Sequence, residues 1–425
     1  APLVMRALAH LRRMSSARSA GSRILSFEAP HLSRAGTRAL SGAVAATGRE
    51  PLLFTPGPLT TSAAVKQAML VDYGSRDARF VDVVSDVRAR LVRMAGLEEA
   101  DGYDCVLMQG SGTFAVESVV GSVVPKEGAE LLVMSNGAYG LRMAQMARVL
   151  GIPLALVDVG ERGVVTAEVL EQALAKHPGV THVGMIHHET TTGILNPVEE
   201  VGRRLQELRP GAVFMVDSMS GFGAYPVDMK RGHIDYLVSS SNKCIESVPG
   251  FAFALARVAH LATTEGSARS LSLDLLAQWK GLASGAGQFR FTPPTHSILA
   301  FHRALLEHEA EGGVEGRRAR YEANHRVLLD GLATMGFSPY LDPAVQSCII
   351  TTYLVPDDPN FVFAEFYRRL SDRGLVIYPG KLTEADCFRI GSIGRLFPHD
   401  MQALVSAVRE VLTEMGVKLP VKQKG

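Results

Sequence analysis

The strongest constraint on the fold is a series of short, apolar runs separated by stretches of helical spacing. The runs are "CVLMQ" (105–109), "LLVMSN" (131–136), "PLALVDV" (153–159), "HVGMIHHET" (182–190), "AVFMVDS" (212–218) and "YLVSSS" (236–241). Strands that are apolar on both faces belong in a mostly parallel sheet covered by helices on both sides. In such sheets the ligand lies beyond the carboxyl ends of the strands. The pattern therefore predicts an α/β fold with its site at that edge.

Length and a change of pattern near residue 300 predict two domains after a leader. A chain of 425 residues favours more than one hydrophobic core. Residues 49–300 carry the apolar runs and form the predicted large domain. Residues 301–425 continue with a long helical region, then the order strand, helix, strand, strand, helix, which is typical of a small α+β domain. The segment 49–65 is predicted to pack with the small domain.

The first 48 residues differ from the rest in composition. Between residues 5 and 45 seven arginines stand against a single acid, Glu28, and serine and alanine fill the gaps. An Arg-rich, Ser-rich and acid-poor start is typical of an organelle transit peptide. We therefore predict a mitochondrial location if residues 1–48 are a transit peptide, and a cytoplasmic one if they are only a disordered leader.

Charge and cysteine usage exclude several kinds of partner. Acids and bases nearly balance at a net charge of +1, and no basic face dominates, so nucleic-acid binding is not expected. No apolar stretch of the sequence is long enough to span a bilayer. The four cysteines lack CxxC or Cys/His spacing and are interpreted as small buried residues of a reducing compartment, so neither disulfides nor a metal site are predicted.

The stretch "QGSGTFAVES" places a glycine-rich loop at the end of the first apolar run. Gly110, Gly112 and Ala115 match the GxGxxA fingerprint of dinucleotide-binding folds. That fingerprint expects a carboxylate at the tip of the next strand, which ends here in Ser-Asn instead. The loop still suits a single phosphate, because the amides of Ser111, Gly112 and Thr113 would lie free at a helix N-terminus.

Three further strand ends carry polar residues. In "HHETTTG" the hydroxyls of Thr190 and Thr191 would face the crevice, although β-propensity and a turn at Gly193 also explain them. Asp217 ends an apolar strand, where a carboxylate is costly unless a partner holds it charged or it caps a helix. Lys243 follows one loop and one strand later, and an amine buried among small residues has a lowered pKa and can form a Schiff base. A phosphate cradle, an acid for a ring nitrogen and an amine for an aldehyde together predict pyridoxal phosphate.

At these residues the chain resembles the class V aminotransferases of pyridoxal-phosphate fold type I, over about residues 50–415. The resemblance rests on "LLFTPGPLTTS", "SNGAYGLRM", "HHETTTGILNP", "VDSMSGFGAYPVD" and "FRIGSIG", as well as on the loop with Lys243. The combination of "NKCI", "VPGF", "RSLSLDL" and "TPPTHSILAF" points within that family to the branch that acts on phosphonates. The resemblance implies a large domain with a mostly parallel sheet of the seven-stranded type and a small C-terminal α+β domain.

The resemblance also assigns roles at the cofactor. Lys243 and Asp217 are the expected catalytic residues: Lys243 would bind the cofactor aldehyde and later move a proton, and Asp217 would keep the pyridine nitrogen protonated. The other cofactor-binding positions are Ser111, Gly112 and Thr113 at the phosphate, Tyr139 stacked on the ring, Thr191 at the 3-oxygen, Asn242 beside the lysine and Thr292. Thr292 would reach the cofactor phosphate of a neighbouring subunit, which implies a homodimer with shared active sites.

Two arginines are the expected substrate-binding residues. Arg389 in "FRIGSIG" matches the family's anion-binding arginine, and its guanidinium fork suits carboxylate or phosphonate oxygens. An ordinary surface ion pair is the alternative interpretation of Arg389. We expect Arg389 to bind the pyruvate carboxylate in one half-reaction and the phosphonate in the other, with Arg290 assisting at the dianion.

The reaction that the resemblance implies is a ping-pong transamination. 2-Aminoethylphosphonate gives up its amine to leave phosphonoacetaldehyde, and pyruvate then collects the amine as L-alanine. An alanine–glyoxylate or serine–pyruvate aminotransferase shares the fold and nearly every cofactor residue and is the alternative. A cysteine desulfurase-like lyase would need a reactive loop cysteine, whereas Cys387 lies inside an apolar strand. A non-catalytic binding protein is the third alternative, but it would not require a buried amine such as that of Lys243.

Overall fold

The strands of the large sheet lie on the apolar runs of the sequence. The computed structural model describes residues 50–284, 287–383 and 385–424. In chain order the strands are β1 (Leu52–Leu53), β2 (Tyr103–Gln109), β3 (Leu131–Ser135), β4 (Leu154–Asp158), β5 (His182–Ile186), β6 (His188–Glu189), β7 (Ile194–Leu195), β8 (Val213–Asp217), β9 (Tyr236–Ser240), β10 (Phe251–Arg257), β11 (Ile350–Leu354), β12 (Leu375–Val376), β13 (Tyr378–Pro379) and β14 (Cys387–Gly391).

Helices follow most of the strands and supply the layers on either side. They are α1 (Ala63–Gln67), α2 (Ala78–Met94), α3 (Gly112–Val123), α4 (Ala138–Val149), α5 (Ala167–Lys176), α6 (Val198–Leu208), α7 (Val258–Leu261), α8 (Leu275–Ser284), α9 (Thr295–Ala310), α10 (Gly313–Ala333), α11 (Phe363–Asp372) and α12 (Pro398–Glu414). Short 3₁₀ helices lie at Ala68–Leu70, Glu99–Asp101 and Ala262–Thr264.

The large sheet has seven strands in the order β2-β10-β9-β8-β5-β3-β4. The pairs β9–β8, β8–β5, β5–β3 and β3–β4 are parallel, whereas β10 runs antiparallel to both of its neighbours. Every residue of β3, β5, β8 and β9 is buried. Burial on both faces explains why these strands carry almost only apolar side chains. The predicted mostly parallel sheet is confirmed, with β10 as an exception that the apolar pattern did not predict.

The C-terminal part of the chain has a core of its own. The long helical region divides into two helices: α9 ends at Ala310, and α10 begins at Gly313 after Gly312, whose φ is 102°. A three-stranded sheet in the order β11-β14-β13 packs with α10, α11 and α12 around buried residues such as Phe388 and Leu404. The stretch "LVIYPG" forms both β12 and β13, which belong to different sheets.

The N-terminal segment crosses between the two cores. Strand β1 pairs in parallel with β12, with Leu52 opposite Leu375, and Phe54 is buried in the C-terminal core. The domain boundaries at residues 48 and 300 stay predictions, and the predicted leader 1–48 lies outside the described residues. Among the described residues, none of the helices combines the length and the apolarity that a membrane crossing requires.

Candidate active site

The carboxyl ends of β2, β8 and β9 bring the predicted catalytic residues to one edge of the sheet. Asp217 is the last residue of β8 and lies in register with Val238 of β9. Lys243 lies in the turn that follows β9. The loop after β8 reaches the start of α3, since a Cβ atom on Gly112 would lie 2.2 Å from the Met219 sulfur. The structure therefore gathers the phosphate loop, the acid and the amine in one place.

The Lys243 amine is held by backbone carbonyls of the N-terminal segment. Its Nζ donates hydrogen bonds to the oxygen of Pro56 at 2.6 Å and to that of Gly57 at 3.4 Å. Burial lowers the pKa of Lys243 to about 8, the Arg389 charge acts in the same direction, and the Asp217 carboxylate opposes both. A lowered pKa makes the neutral, nucleophilic amine accessible near neutral pH.

Gly57 is a site residue that the sequence analysis missed. It has a φ of 116°, and a Cβ atom there would lie 2.7 Å from Lys243 Nζ and 2.8 Å from the oxygen of Asn242. Glycine alone adopts this φ readily and leaves room for the lysine. The Pro-Gly-Pro step in "FTPGPLTT" was the available signal, but it indicates a tight turn without showing what packs against it.

Asp217 is a buried carboxylate with one free oxygen. Its side chain is 7% exposed, and Oδ1 accepts a 2.8 Å hydrogen bond from the amide of Met219. Oδ2 accepts no hydrogen bond from any residue that the structure describes. Burial raises the pKa of Asp217 to about 7, with the nearby Glu189 acting in the same direction. A buried oxygen of this kind calls for a donor that also carries positive charge.

Helix α3 opens with unpaired backbone amides. Ser111 caps the helix in an extended conformation, and its hydroxyl does not bond back to it. Within the described ranges, the amides of Ser111, Gly112 and Thr113 donate to no acceptor. Because a helix N-terminus carries partial positive charge, these amides suit a phosphate. Arg142, which was not predicted, adds a full charge, with Nη1 at 3.5 Å from Thr113 Oγ1.

Glu189 is a second buried carboxylate, and it uses the hydroxyl of Thr191. Its Oε1 accepts hydrogen bonds from the amide of Thr191 at 2.9 Å and from Thr191 Oγ1 at 2.5 Å. Oγ1 in turn accepts a 3.0 Å bond from the amide of Ala138. Burial raises the pKa of Glu189, although these hydrogen bonds oppose the shift. The hydroxyl proton of Thr191 is therefore already donated to Glu189, so the hydroxyl could only accept a hydrogen bond at the cofactor. The role of Thr191 at the cofactor stays a prediction.

Tyr139 lies between two cationic side chains. The ring is half-buried, with the Arg142 Cζ atom 4.9 Å and the Lys381 Nζ atom 4.0 Å from its centroid. The Tyr139 amide donates to Glu189 at 3.2 Å, which fixes the start of α4 against the site. Lys381 follows β13, far along the chain, and nothing in its local sequence indicates that it reaches this tyrosine. The predicted stacking role of Tyr139 stays a prediction.

Arg389 is a buried cation without an acidic partner. It is 2% exposed, and its guanidinium donates from Nε to Pro379 O at 3.1 Å and from Nη1 to Thr190 O at 2.7 Å. Neither an ion pair nor a hydrogen bond from Nη2 joins it to any other described residue. Burial lowers the pKa of Arg389. A desolvated guanidinium of this kind is stabilised by an anionic ligand, so a surface ion pair does not describe it.

Asn242 directly precedes Lys243, whereas the predicted Arg290 and Thr292 lie elsewhere in the single chain. Asn242 accepts a 3.0 Å bond at Oδ1 from Ser240 and is half-buried. Thr292 is exposed, and its carbonyl accepts from the Gln109 side chain. Arg290 donates from Nη1 to the Leu271 carbonyl at 2.9 Å and, with Thr292, lines a separate cavity of about 360 Å³. The structure of one chain thus does not bring Arg290 or Thr292 into contact with Lys243.

The comparison with known families identifies the chain. The sequence profile described as "Aminotransferase class-V" matches residues 66–355. The chain belongs to the class V aminotransferase family. It is therefore an aminotransferase, and the predicted fold type I is confirmed.

Relatives and solved structures refine this picture of the aminotransferase. The 2-aminoethylphosphonate–pyruvate transaminase of Klebsiella pneumoniae subsp. pneumoniae is 50% identical over 363 residues, which are 85% of this chain and 98% of that protein. It belongs to the phosphonate branch that the sequence motifs indicate. Because it is bacterial, it gives no support to the predicted mitochondrial location, which stays a prediction.

Among solved structures, the aminotransferase resembles two enzymes in its fold. Pyridoxamine–pyruvate aminotransferase from Mesorhizobium loti has 22% identity and a TM-score of 0.78, over 88% of this chain and 95% of that one. Alanine–glyoxylate aminotransferase from Nostoc sp. has 24% identity and a TM-score of 0.78, over 86% of this chain and 96% of that one. At these identities the likeness shows the fold alone.

Proposed function

We propose that this aminotransferase uses pyridoxal phosphate to transfer the amine of 2-aminoethylphosphonate to pyruvate, which yields phosphonoacetaldehyde and L-alanine. The observation that carries the proposal is the 50% identity to a relative of that name over 98% of its length. The guanidinium of Arg389 supports it, because each substrate carries an anionic group close to its reacting carbon.

The residues present fit pyridoxal phosphate. The unpaired amides of Ser111, Gly112 and Thr113, with Arg142 beside them, would hold the phosphate. The free Oδ2 atom of Asp217 would accept a hydrogen bond from the protonated ring nitrogen. The Lys243 amine, with its pKa lowered to about 8, would hold the aldehyde. When bound, the cofactor supplies an aldehyde that takes up the amine and a ring that withdraws electrons from the neighbouring carbon.

The protein's part in the chemistry follows from two groups with opposite pKa shifts. Lys243 Nζ, neutral in a sizeable fraction near pH 8, would remove a proton from the amine-bearing carbon of the substrate and deliver it to the cofactor carbon that carries the aldehyde. Asp217 lies in an environment that disfavours its charge, and a cationic donor at Oδ2 would return it to the carboxylate form. Asp217 then keeps that donor protonated while Lys243 exchanges protons.

Arg389 would bind the anionic end of each substrate in turn. Its position is fixed by the bonds to Pro379 O and Thr190 O, so the free Nη2 keeps one direction in both half-reactions. The same guanidinium would take the phosphonate of the amino donor and later the carboxylate of pyruvate. Arg290 is bonded to a carbonyl elsewhere in the single chain, and its predicted assistance would require a neighbouring subunit.

We propose in addition that the enzyme is a symmetric homodimer. Phe114, next to the phosphate cradle, is 51% exposed, and Phe291, next to Thr292, is 45% exposed. Large exposed apolar side chains beside a binding site are typical of an interface. A second copy covering them would also place its Thr292 where the sequence predicts it. Light scattering during gel filtration tests the proposal, and a monomer at micromolar concentration would contradict it.

A direct assay tests the proposed function. Purified protein with added pyridoxal phosphate is given 2-aminoethylphosphonate and pyruvate, and L-alanine and phosphonoacetaldehyde are measured. The same protein is then given L-alanine and glyoxylate, which is the pair for the alternative aminotransferase. Turnover of the phosphonate pair with the higher kcat/KM is expected. Absence of L-alanine in the first assay would overturn the proposal.

A further inference from the structure

Lys381 is a cation of the active site that the mechanism above does not use. It follows β13, is half-buried, and places Nζ 4.0 Å from the centre of the Tyr139 ring. It makes no hydrogen bond and no ion pair with any residue that the structure describes. Burial lowers the pKa of Lys381, and the charges of Arg142 and Arg389 act in the same direction. A partly desolvated ammonium among other cations is unfavourable unless an anion joins it.

The surrounding charges divide into two anion sites. Arg142, on α4, places Nη1 3.5 Å from Thr113 Oγ1 at the start of α3, and so serves the phosphate cradle. Arg389 and Lys381 come from the C-terminal core instead, on β14 and on the loop between β13 and β14. Arg389 donates to the Thr190 carbonyl, and Lys381 Nζ lies over the ring of Tyr139, whose amide donates to Glu189. Both cations therefore lie near the same two consecutive residues, Glu189 and Thr190. The Glu189 carboxylate, next to Thr190 in the chain, is already bonded to Thr191 and to the Tyr139 amide.

Arg389 and Lys381 together carry two positive charges, one more than a carboxylate carries negative charges. A carboxylate carries one negative charge, which a single guanidinium fork matches. A phosphonate carries a third oxygen and, when fully ionised, a second negative charge. An ammonium is a compact point charge with three donors, so it can take an oxygen that lies outside the plane of the fork. Arg389 and Lys381 together match a phosphonate dianion better than either does alone.

We propose that Lys381 is a specificity-determining residue, which binds the phosphonate oxygen not taken by Arg389 and so favours an aminophosphonate over the aminocarboxylate of the same length. This inference rests on the proposed function and deepens it. The single charge of the pyruvate carboxylate is already matched by Arg389, so pyruvate binding does not require Lys381. Lys381 should therefore affect one half-reaction more than the other.

The test compares Lys381→Met, Lys381→Arg and, as a matched control, Lys422→Met at an exposed lysine near the C-terminus. Initial rates with pyruvate are measured for 2-aminoethylphosphonate and for its carboxylate counterpart, 3-aminopropionate. Calorimetry on the cofactor-loaded proteins gives the dissociation constants of ethylphosphonate and propionate, which lack the amine and cannot react. Cofactor affinity is measured on the same proteins.

We expect Lys381→Met to weaken ethylphosphonate binding and kcat/KM for the aminophosphonate by about ten-fold, the loss of one charge-assisted contact. Propionate binding and the KM for pyruvate should change less than about two-fold, because a single guanidinium still matches them. Lys381→Arg should retain most of the preference, and Lys422→Met all of it. An unchanged ratio of ethylphosphonate to propionate affinity in Lys381→Met would overturn the inference. So would a loss of cofactor affinity with that ratio unchanged, since Lys381 would then serve the cofactor phosphate.

The two proposals fail in different ways. If the wild-type protein does not turn over 2-aminoethylphosphonate, the proposed function is wrong, whereas the two dissociation constants still decide whether Lys381 selects a phosphonate. If the wild-type protein turns it over and Lys381→Met keeps the wild-type ratio, the function stands and only the role of Lys381 is wrong.

Discussion

The Nζ atom of Lys243 donates a 2.6 Å hydrogen bond to the carbonyl oxygen of Pro56, which precedes it by 187 residues. The segment that carries Pro56 starts with β1, and β1 pairs with β12 beside the C-terminal core. The reactive amine at the edge of the large sheet is therefore positioned by a segment anchored on the other core. Packing between the two cores decides where the amine lies.

We expect Gly57→Ala to reduce kcat by about ten- to a hundred-fold, because displacement of a reacting group by about 1 Å has effects of that size. An alanine Cβ atom would lie 2.7 Å from Lys243 Nζ, at a φ of 116° that alanine disfavours. The control is Gly128→Ala, where φ is 70° but nothing lies within 4 Å of the added atom. It should cost about 1 kcal/mol in strain and leave kcat unchanged. Equal losses of kcat in the two variants would show that strain alone is responsible.

We expect Asp217→Asn to stabilise the cofactor-free protein near neutral pH. The pKa of Asp217 rises from 3.8 to about 7 on folding, so the folded state keeps a proton that the unfolded state loses between these values. Wild-type stability therefore falls as pH rises from 4 to 7, by up to about 4 kcal/mol from this group, and then levels off. The asparagine variant lacks this slope.

Urea unfolding of both cofactor-free proteins at pH 4, 5, 6, 7 and 8 measures the difference, which should be near zero at pH 4 and largest at pH 7 and 8. Activity should move the other way, with kcat lowered by about a hundred-fold or more, because the ring nitrogen loses its anionic partner. A wild-type protein that gains stability relative to the variant as pH rises would show that Asp217 is not a strained, buried carboxylate.

The pattern of apolar runs was sufficient to predict the parallel strands, because each of them is buried on both faces and therefore consists almost entirely of apolar residues. It was not sufficient for β10, whose antiparallel direction comes from its place between β2 and β9. Apolarity says that a strand is buried, but it does not say which way the strand runs.

The site shows the same division between local and long-range information. Asp217 and Lys243 could be predicted because one is the last residue of a strand and the other lies shortly after one, and such ends meet at one edge. Pro56, Gly57 and Lys381 could not be predicted, since they reach the site only through packing of segments far apart in the chain. Thr191 was predicted by position, but its hydroxyl bond to Glu189 depends on a rotamer that no spacing reveals.

We expect Arg389→Met to raise KM for both 2-aminoethylphosphonate and pyruvate by about ten-fold or more, because each loses a charge-assisted contact of about 1.5–3 kcal/mol. Arg389→Lys should recover only part of this loss. Lysine keeps the charge, but its three donors share one nitrogen. It therefore cannot span Pro379 O and Thr190 O as the separate Nε and Nη1 atoms do and also reach the substrate. Arg409→Met, at an exposed position of α12, is the control for loss of a positive charge. Unchanged KM values for both substrates in Arg389→Met would exclude Arg389 as the anion-binding residue.

Glu246 supports the turn that contains Lys243. Glu246 is 4% exposed and has a φ of 62°, unusual for a residue with a side chain. Its amide donates to Lys243 O at 2.7 Å, and its Oε1 accepts from Tyr321 Oη at 2.6 Å and from Arg320 Nη2 at 2.7 Å. These bonds hold the strained backbone in place. Loss of the Glu246 carboxylate would leave the partly buried guanidinium of Arg320 with Glu311 as its remaining acidic partner among the described residues.

We therefore expect Glu246→Ala to reduce the free energy of unfolding by about 3 kcal/mol. Glu246→Gly relieves the backbone strain but removes the same carboxylate from Arg320, so it should recover only about 1 kcal/mol of that loss. The matched control is Glu322→Ala, which breaks an exposed pair with Arg318 on the same helix and should cost less than about 0.5 kcal/mol. Urea unfolding of the three variants measures these values. A cost for Glu246→Ala no larger than that for Glu322→Ala would mean that the strained turn is held by the remaining packing, without the buried charges.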